Sequence, residues 1–147
     1  MIVSLHHASF TVENLERSVA FYQETLGLKL EGVWERDQEY SEGVTGIRGA
    51  WLKVAYFSLP NASFELVEYL GAKGKKIDTS TNNVGSAHVC LIVANFDAFV
   101  EALAERGVVF AGKTCTIPAG SNKGKKIAYI EDPDGNTLEL VSSRALS

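Results

Sequence analysis

From Leu5 to Val12 the chain alternates, placing Leu5, His7, Ser9 and Thr11 on one face and His6, Ala8, Phe10 and Val12 on the other. This period of two predicts a strand. Asn14 then offers a helix N-cap, and Leu15, Val19, Tyr22 and Leu26 follow at i, i+4, i+7 and i+11, one apolar stripe of an amphipathic helix. Gly27 suits the left-handed residue that ends such a helix. Leu28–Trp34 reads as a second strand. Residues 35–50 are polar and punctuated by Gly43, Gly46 and Gly49, and read as a long loop, either a functional lid or a surface connection. Trp51–Leu59 and Ala62–Leu70 are two strands joined by a hairpin turn at Pro60-Asn61.

The pattern then starts again. Ala87–Val93 reads as a strand with His88, Cys90 and Ile92 on one face, and Asn95 as the cap of a helix carrying Phe96, Val100 and Leu103 on its stripe, with Phe99 beside them, until Gly107. Val108–Phe110 is a short strand. Lys126–Glu131 and Thr137–Ser142 form a hairpin around Asp132-Pro133-Asp134-Gly135, which has the residues of a type I turn. The order is β-α-β-β-β, twice. The histidines and caps recur after 81 residues and the two Glu-Leu-Val segments after 74, so seven residues are gained or lost between, which places the change in the 35–50 stretch. Each unit is small for an independent domain, so one α+β domain over 1–147 is expected: a first module at about 1–70, a Gly-, Lys-, Ser-, Thr- and Asn-rich linker at 71–84, and a second module from about 85 to 147.

Bulk properties narrow the function. The 147 residues suffice for one domain with a substantial core. A net charge of −4 gives no electrostatic reason to expect nucleic-acid binding. No apolar run approaches a membrane span, and Met1–His7 lacks a basic leader and cleavage pattern, so a cytoplasmic protein is expected. Cys90 and Cys115 then read as free thiols, Cys90 as a buried packing residue.

The recurrence carries chemistry as well as structure. His7 and His88 hold matching places, as do Glu65 and Glu139. Glu65 shares a face with Ser63, Val67 and Tyr69, and Glu139 with Thr137 and Val141, while Phe64, Leu66, Leu138 and Leu140 take the faces suited to packing under the helices. Two imidazoles and two carboxylates on the less apolar faces form a ligand set for Zn, Ni, Co, Mn or Fe(II), with positions open for water or substrate. A lone strand histidine is an ordinary half-buried residue; the matched recurrence with glutamate favours a metal site.

In this light the chain resembles the vicinal oxygen chelate superfamily, which includes glyoxalase I, methylmalonyl-CoA epimerase, extradiol dioxygenases and bleomycin-resistance proteins. The residues that carry the resemblance are Leu5-His6-His7-Ala8-Ser9-Phe10-Thr11-Val12, Leu15-Glu16-Arg17-Ser18 through Phe21-Tyr22 to Leu26-Gly27-Leu28, Ala87-His88-Val89, and Glu131-Asp132-Pro133-Asp134-Gly135-Asn136 through Leu138-Glu139-Leu140. The resemblance implies paired βαβββ modules forming a cup-shaped mixed sheet with helices outside, around one divalent ion held by His7, Glu65, His88 and Glu139. His6 competes with His7, which is preferred because it shares its spacing to the helix cap with His88. Glu68 competes with Glu65, which shares the Glu-Leu-Val register with Glu139.

The resemblance also implies proton transfer through a metal-stabilised enolate on a small oxygenated substrate, with Glu139 as first choice of base and Glu65 as its symmetry mate. Return of the proton to the same carbon is epimerisation, and return to the next carbon is a glyoxalase-type isomerisation. The alternatives are an Fe(II) extradiol-type dioxygenase, which uses two histidines and one carboxylate, and a non-catalytic drug-resistance-type binder, which generally lacks the metal set. Gly43-Val44-Thr45-Gly46 and Glu65-Leu66-Val67-Glu68-Tyr69 resemble epimerase and glyoxalase-like members, some acting on cyclitol ketones. Neither a glutathione-binding signature nor the usual acyl-CoA segments are evident. Members of the superfamily commonly form homodimers, sometimes with ligands from both chains. Two lysine clusters, Lys73, Lys75 and Lys76, and Lys123, Lys125 and Lys126, could clamp an anionic substrate group; solvated loop charge is the favoured reading.

Overall fold

The computed structural model describes residues 1–143. The chain divides into two compact units at Ile77/Asp78, inside the polar 71–84 stretch. Each unit is built on a four-stranded mixed sheet, so the fold is α+β.

In the first unit, β1 (His7–Thr11), β2 (Lys29–Arg36), β3 (Trp51–Ser58) and β4 (Ser63–Gly71) lie in the order β1-β4-β3-β2. β1 runs parallel to β4, and the other neighbours are antiparallel. The first helix, α1 (Leu15–Ala20), continues as a wider π-helical turn over Phe21–Thr25. Asn14 caps it as expected, its side chain accepting the Arg17 amide at 2.8 Å. The wider turn seats Tyr22, fully buried, against Phe57 and Phe64, with ring centroids 5.8 and 5.0 Å away. Phe10, Leu15, Phe57, Phe64 and Leu66 are buried in this unit's core, and Phe64 and Leu66 lie on the face of β4 opposite Glu65.

Residues 35–50 are not a plain loop. They contain a further helix, α2 (Gln38–Thr45). Asp37 caps it by accepting the Tyr40 amide at 2.9 Å, and Gly46, at φ 69°, ends it in the left-handed conformation. Gly43 and Gly46 suggested a loop, whereas one is tolerated on an open helix surface and the other is the stop signal. This helix falls between β2 and β3, where the change of repeat offset was expected.

In the second unit, β5 (His88–Val93), β6 (Cys115–Thr116), β7 (Lys126–Glu131) and β8 (Thr137–Ser142) lie in the order β5-β8-β7-β6, again with one parallel pair, β5–β8. Helix α3 (Phe96–Glu105) buries Phe96 and Leu103. The expected Val108–Phe110 strand is reduced to a single bridge from Phe110 to Ile130, and the edge strand proper is the two-residue β6. Asn95 does not cap α3 with its side chain; it takes φ 50°, a left-handed conformation that asparagine tolerates better than most residues. In the first unit the Glu68 carboxylate also receives the Leu15 amide, at 2.8 Å. By the 74-residue offset the place of Glu68 is taken by Ser142, whose hydroxyl instead accepts the Lys126 amide at 3.0 Å. The β7–β8 turn behaves as its sequence implies: the Gly135 amide donates to the Asp132 carbonyl at 2.9 Å, and the Asp132 carboxylate accepts the Asp134 and Asn136 amides at 2.9 and 2.8 Å.

Candidate metal centre

Each unit brings one histidine to one glutamate. His7 Nε2 stands 3.4 Å from Glu65 Oε2, and His88 Nε2 stands 2.9 Å from Glu139 Oε2. Parallel pairing produces this. Ser9 lies opposite Glu65 and Cys90 opposite Glu139, so each histidine, two residues earlier, sits on the same face as the carboxylate and reaches it diagonally. Glu65 is buried although charged, which demands partners.

The sequence-level competitors lie elsewhere. His6 Nδ1 is 2.8 Å from His7 Nδ1, so His6 touches the far side of the His7 ring from Glu65. In the tautomer in which His7 Nδ1 donates to His6, the His7 Nε2 would be open to an ion held beside Glu65. Glu68 holds the first turn of α1 through the Leu15 amide and reaches Lys73 at 3.5 Å.

Two tyrosines escaped the sequence reading. Tyr56 is the direct cross-strand partner of Glu65, and Tyr129 that of Glu139. Their rings meet the two histidines, with centroids 5.7 Å apart for His7–Tyr56 and 5.3 Å for His88–Tyr129. Burial, a hydrogen bond to Glu65 and the charge of Glu65 push the Tyr56 hydroxyl up to about 12. Tyr129 is raised in the same direction by burial and then by Glu139. Both phenols therefore stay protonated and donate toward the carboxylates. The signal was present: counting outward from the Pro60-Asn61 turn places Tyr56 opposite Glu65.

Cys90 is not a packing residue. It is exposed, and the alternation of β5 puts it with His88 on the face away from the helix. Its thiol is pushed up to about 11, by partial burial first and then by the charge of Glu139 and a hydrogen bond to it. Of the lysine clusters, Lys126 is held by Asp97 at 2.7 Å and Lys73 by Glu68, while Lys125 lies near enough to Cys90 for its charge to act on the thiol.

Two donors at about 2.1 Å from one ion, at a right angle, stand about 3 Å apart. The two His–Glu separations bracket that value, and imidazole nitrogen with carboxylate oxygen suits a divalent transition ion. Each pair is two donors; among the described residues no three His, Cys, Asp or Glu side chains form a group that could hold an ion. Among the described residues, no helix is long and apolar enough to cross a membrane.

Comparison with known proteins agrees with this architecture. A 2-epi-5-epi-valiolone epimerase from an Actinomyces species is 29% identical over 149 residues, spanning 95% of this chain and 79% of its own. A lactoylglutathione lyase from Schizosaccharomyces pombe is 30% identical over 146 residues, and the match covers 94% of this chain but 47% of that protein. Among solved structures, a glyoxalase family protein from Bacillus cereus superposes with a TM-score of 0.82 at 23% identity, over 97% of this chain and 95% of its own. The family model matches residues 4–140, so the chain, with its twice-repeated sheet and its histidine and glutamate at matching places in each half, belongs to the Glyoxalase/Bleomycin resistance protein/Dioxygenase superfamily.

Proposed function

We propose that this protein is a divalent-metal-dependent enzyme that moves a proton at the carbon beside a carbonyl, as an epimerase or isomerase of small hydroxyketones. The observation that carries the reading is the repeated His–Glu pair, with Nε2 facing Oε2 at 3.4 Å in one unit and 2.9 Å in the other. His7, Glu65, His88 and Glu139 would hold the ion, with the two pairs serving one ion within a chain or between the chains of a homodimer. When bound, a divalent ion supplies Lewis acidity to a substrate carbonyl.

The side chains do the rest. Glu139 is the first choice of base, with Glu65 its counterpart. Tyr129 and Tyr56, kept protonated, orient those carboxylates by donating to them. His6 sets the orientation of His7. The relative named as a valiolone epimerase, matched over most of its length, favours proton return to the same carbon. A set of four nitrogen and oxygen donors weighs against oxygen activation by Fe(II), which uses three.

The test is elemental analysis of tag-free protein beside His88→Ala, followed by incubation of the metal-loaded protein with hydroxyketones in deuterated water. Bound Ni, Co, Zn or Mn lost in the variant, with deuterium entering at the carbon beside the carbonyl, supports the reading. Fe(II) with oxygen uptake transfers it to a dioxygenase. Failure to take up any metal leaves a small-molecule binder.

A further inference from the structure

The face that carries the His–Glu pair has the same order of rows in each sheet. In the second unit Cys90, Glu139 and Tyr129 are register partners in one row, and Ile92, Val141 and Ile127 in the next. In the first unit Ser9, Glu65 and Tyr56 form the one row, and Thr11, Val67, Val54 and Trp34 the next. One row further on, each face bears a cation. In the first unit it is Arg36, opposite Leu52. In the second, the Ile117 amide donates to the Lys125 carbonyl at 2.9 Å. This bond carries the β6–β7 ladder one residue past Lys126 and sets Lys125 on the face of Ile127 and Tyr129. The two cations sit on different strands, yet both follow the acid by two rows.

Both cations are half-buried, and among the described residues neither has a carboxylate at ion-pair distance. Lys125 is the stronger case. The other lysines of the two clusters are exposed, and Lys73 and Lys126 have Glu68 and Asp97 as partners. From Gly107 to Ile130 the chain carries Lys113, Lys123, Lys125 and Lys126 and no Asp or Glu, although the whole protein stands at −4. Arg36, by contrast, is followed by Asp37 and Glu39. Lys125 also reaches inward, since its charge acts on the Cys90 thiol, the register partner of Glu139. A partly covered ammonium without a counter-charge is costly, and an anion arriving from solution offsets that cost.

We propose that Lys125 anchors an anionic group of the substrate, a carboxylate or a phosphate ester, while the substrate carbonyl lies beside Glu139. This rests on the proton-transfer reading above and specifies one part of its substrate. Four strand residues separate Tyr129 from Lys125, about 14 Å, and an extended lysine side chain reaches back over about 6 Å of it. A ligand that touches both ends therefore separates its reacting carbon from its anion by several bonds. Its carbon link crosses the apolar row, where Ile92 is 73% exposed. An acid with its carboxylate next to its carbonyl is too short. Carboxylate and phosphate meet a lysine alike, because the ammonium acts as a point charge with rotatable donors.

Binding can be read apart from catalysis. Titration calorimetry on the metal-loaded protein compares 7-hydroxy-6-oxoheptanoate, a hydroxyketone joined to a carboxylate by a four-carbon link, with its methyl ester. The acid should bind about ten-fold tighter than the ester. Lys125→Gln should abolish that preference and Lys125→Arg should keep it, with circular dichroism and metal content unchanged in both. Lys123→Gln should keep it as well, and pyruvate affinity should not depend on Lys125. A phosphate ester of the same length, titrated alongside, shows which anion the site prefers. No binding of the acid, equal affinity for acid and ester, a preference that survives Lys125→Gln, or an equal loss in Lys123→Gln would overturn the anchor. A Lys125-dependent preference with no deuterium entering beside the carbonyl would keep the anchor and instead remove the proton-transfer reading.

Discussion

His88 and Glu139 meet at 2.9 Å although they are not register partners: His88 pairs with Thr137, and Glu139 with Cys90. The contact exists because β5 and β8 run parallel with that stagger, and His7 and Glu65 repeat it at 3.4 Å. On the proposed reading, removing one member of a pair takes one donor from the ion. We expect His88→Ala and Glu139→Gln each to weaken metal binding by about two orders of magnitude, measured by competition with a chromogenic chelator. Glu139→Gln should also slow solvent deuterium exchange by about 100-fold or more, even at saturating metal. An exchange rate unchanged at saturation would assign the base elsewhere.

Glu68 and Glu65 are three residues apart on β4 and do different work. The Glu68 carboxylate accepts the Leu15 amide at the start of α1, where a negative charge also meets the positive end of the helix. Glu68→Ala should lower unfolding stability by about 1–2 kcal/mol in urea titration while leaving metal affinity unchanged. Glu65→Ala should show the reverse emphasis, losing metal affinity first. A loss of metal in both variants would mean that the two faces of the strand are coupled.

Cys90 reports on Glu139 by its pH dependence. Its thiol is pushed up to about 11 by partial burial and then by the carboxylate beside it. In metal-free Cys115→Ser protein, alkylation by iodoacetamide should climb about ten-fold per pH unit and level off only near that value. Glu139→Gln removes the negative charge, so the inflection should move to lower pH, yet stay above that of an ordinary thiol because burial persists. An unmoved inflection would show that the two side chains do not face each other.

Asp132 ties the β7–β8 turn together. Its carboxylate accepts the Asp134 and Asn136 amides at 2.9 and 2.8 Å and the Asn136 side-chain amide at 2.9 Å, and the residue is buried. Asp132→Ala strands those donors and should cost about 2–4 kcal/mol, read as a lowered urea midpoint with an unchanged slope. A loss within a few tenths of a kcal/mol would mean that Pro133 and Gly135 suffice to hold the turn.

The parts of this molecule legible in the sequence are those set by local pattern. The alternation of Lys126–Glu131 and Thr137–Ser142, and the turn between them, match the observed strands residue for residue. The His–Glu pairs were legible because the chain repeats itself, a comparison within one sequence. The rest depended on competing local signals or on register. Gly43 and Gly46 looked like loop residues until Asp37 and Gly46 were seen to cap the two ends of a helix. Asn95 resembles Asn14 in place and type, but its backbone turned left-handed. Tyr56 and Tyr129 required knowing which residue stands opposite which.

The parallel pairing of β1 with β4 and of β5 with β8 also sets an order of events. The β3–β4 and β7–β8 hairpins close over a few residues and can form on the microsecond scale. His7 must find Glu65, and His88 must find Glu139, across the intervening helix and hairpin, a closure whose entropy is offset only once the core around Tyr22 or Leu103 has assembled. Neither His–Glu pair exists in a partly folded chain. On the proposed reading, the chain would acquire its ligands for an ion only once the sheet of each half is complete.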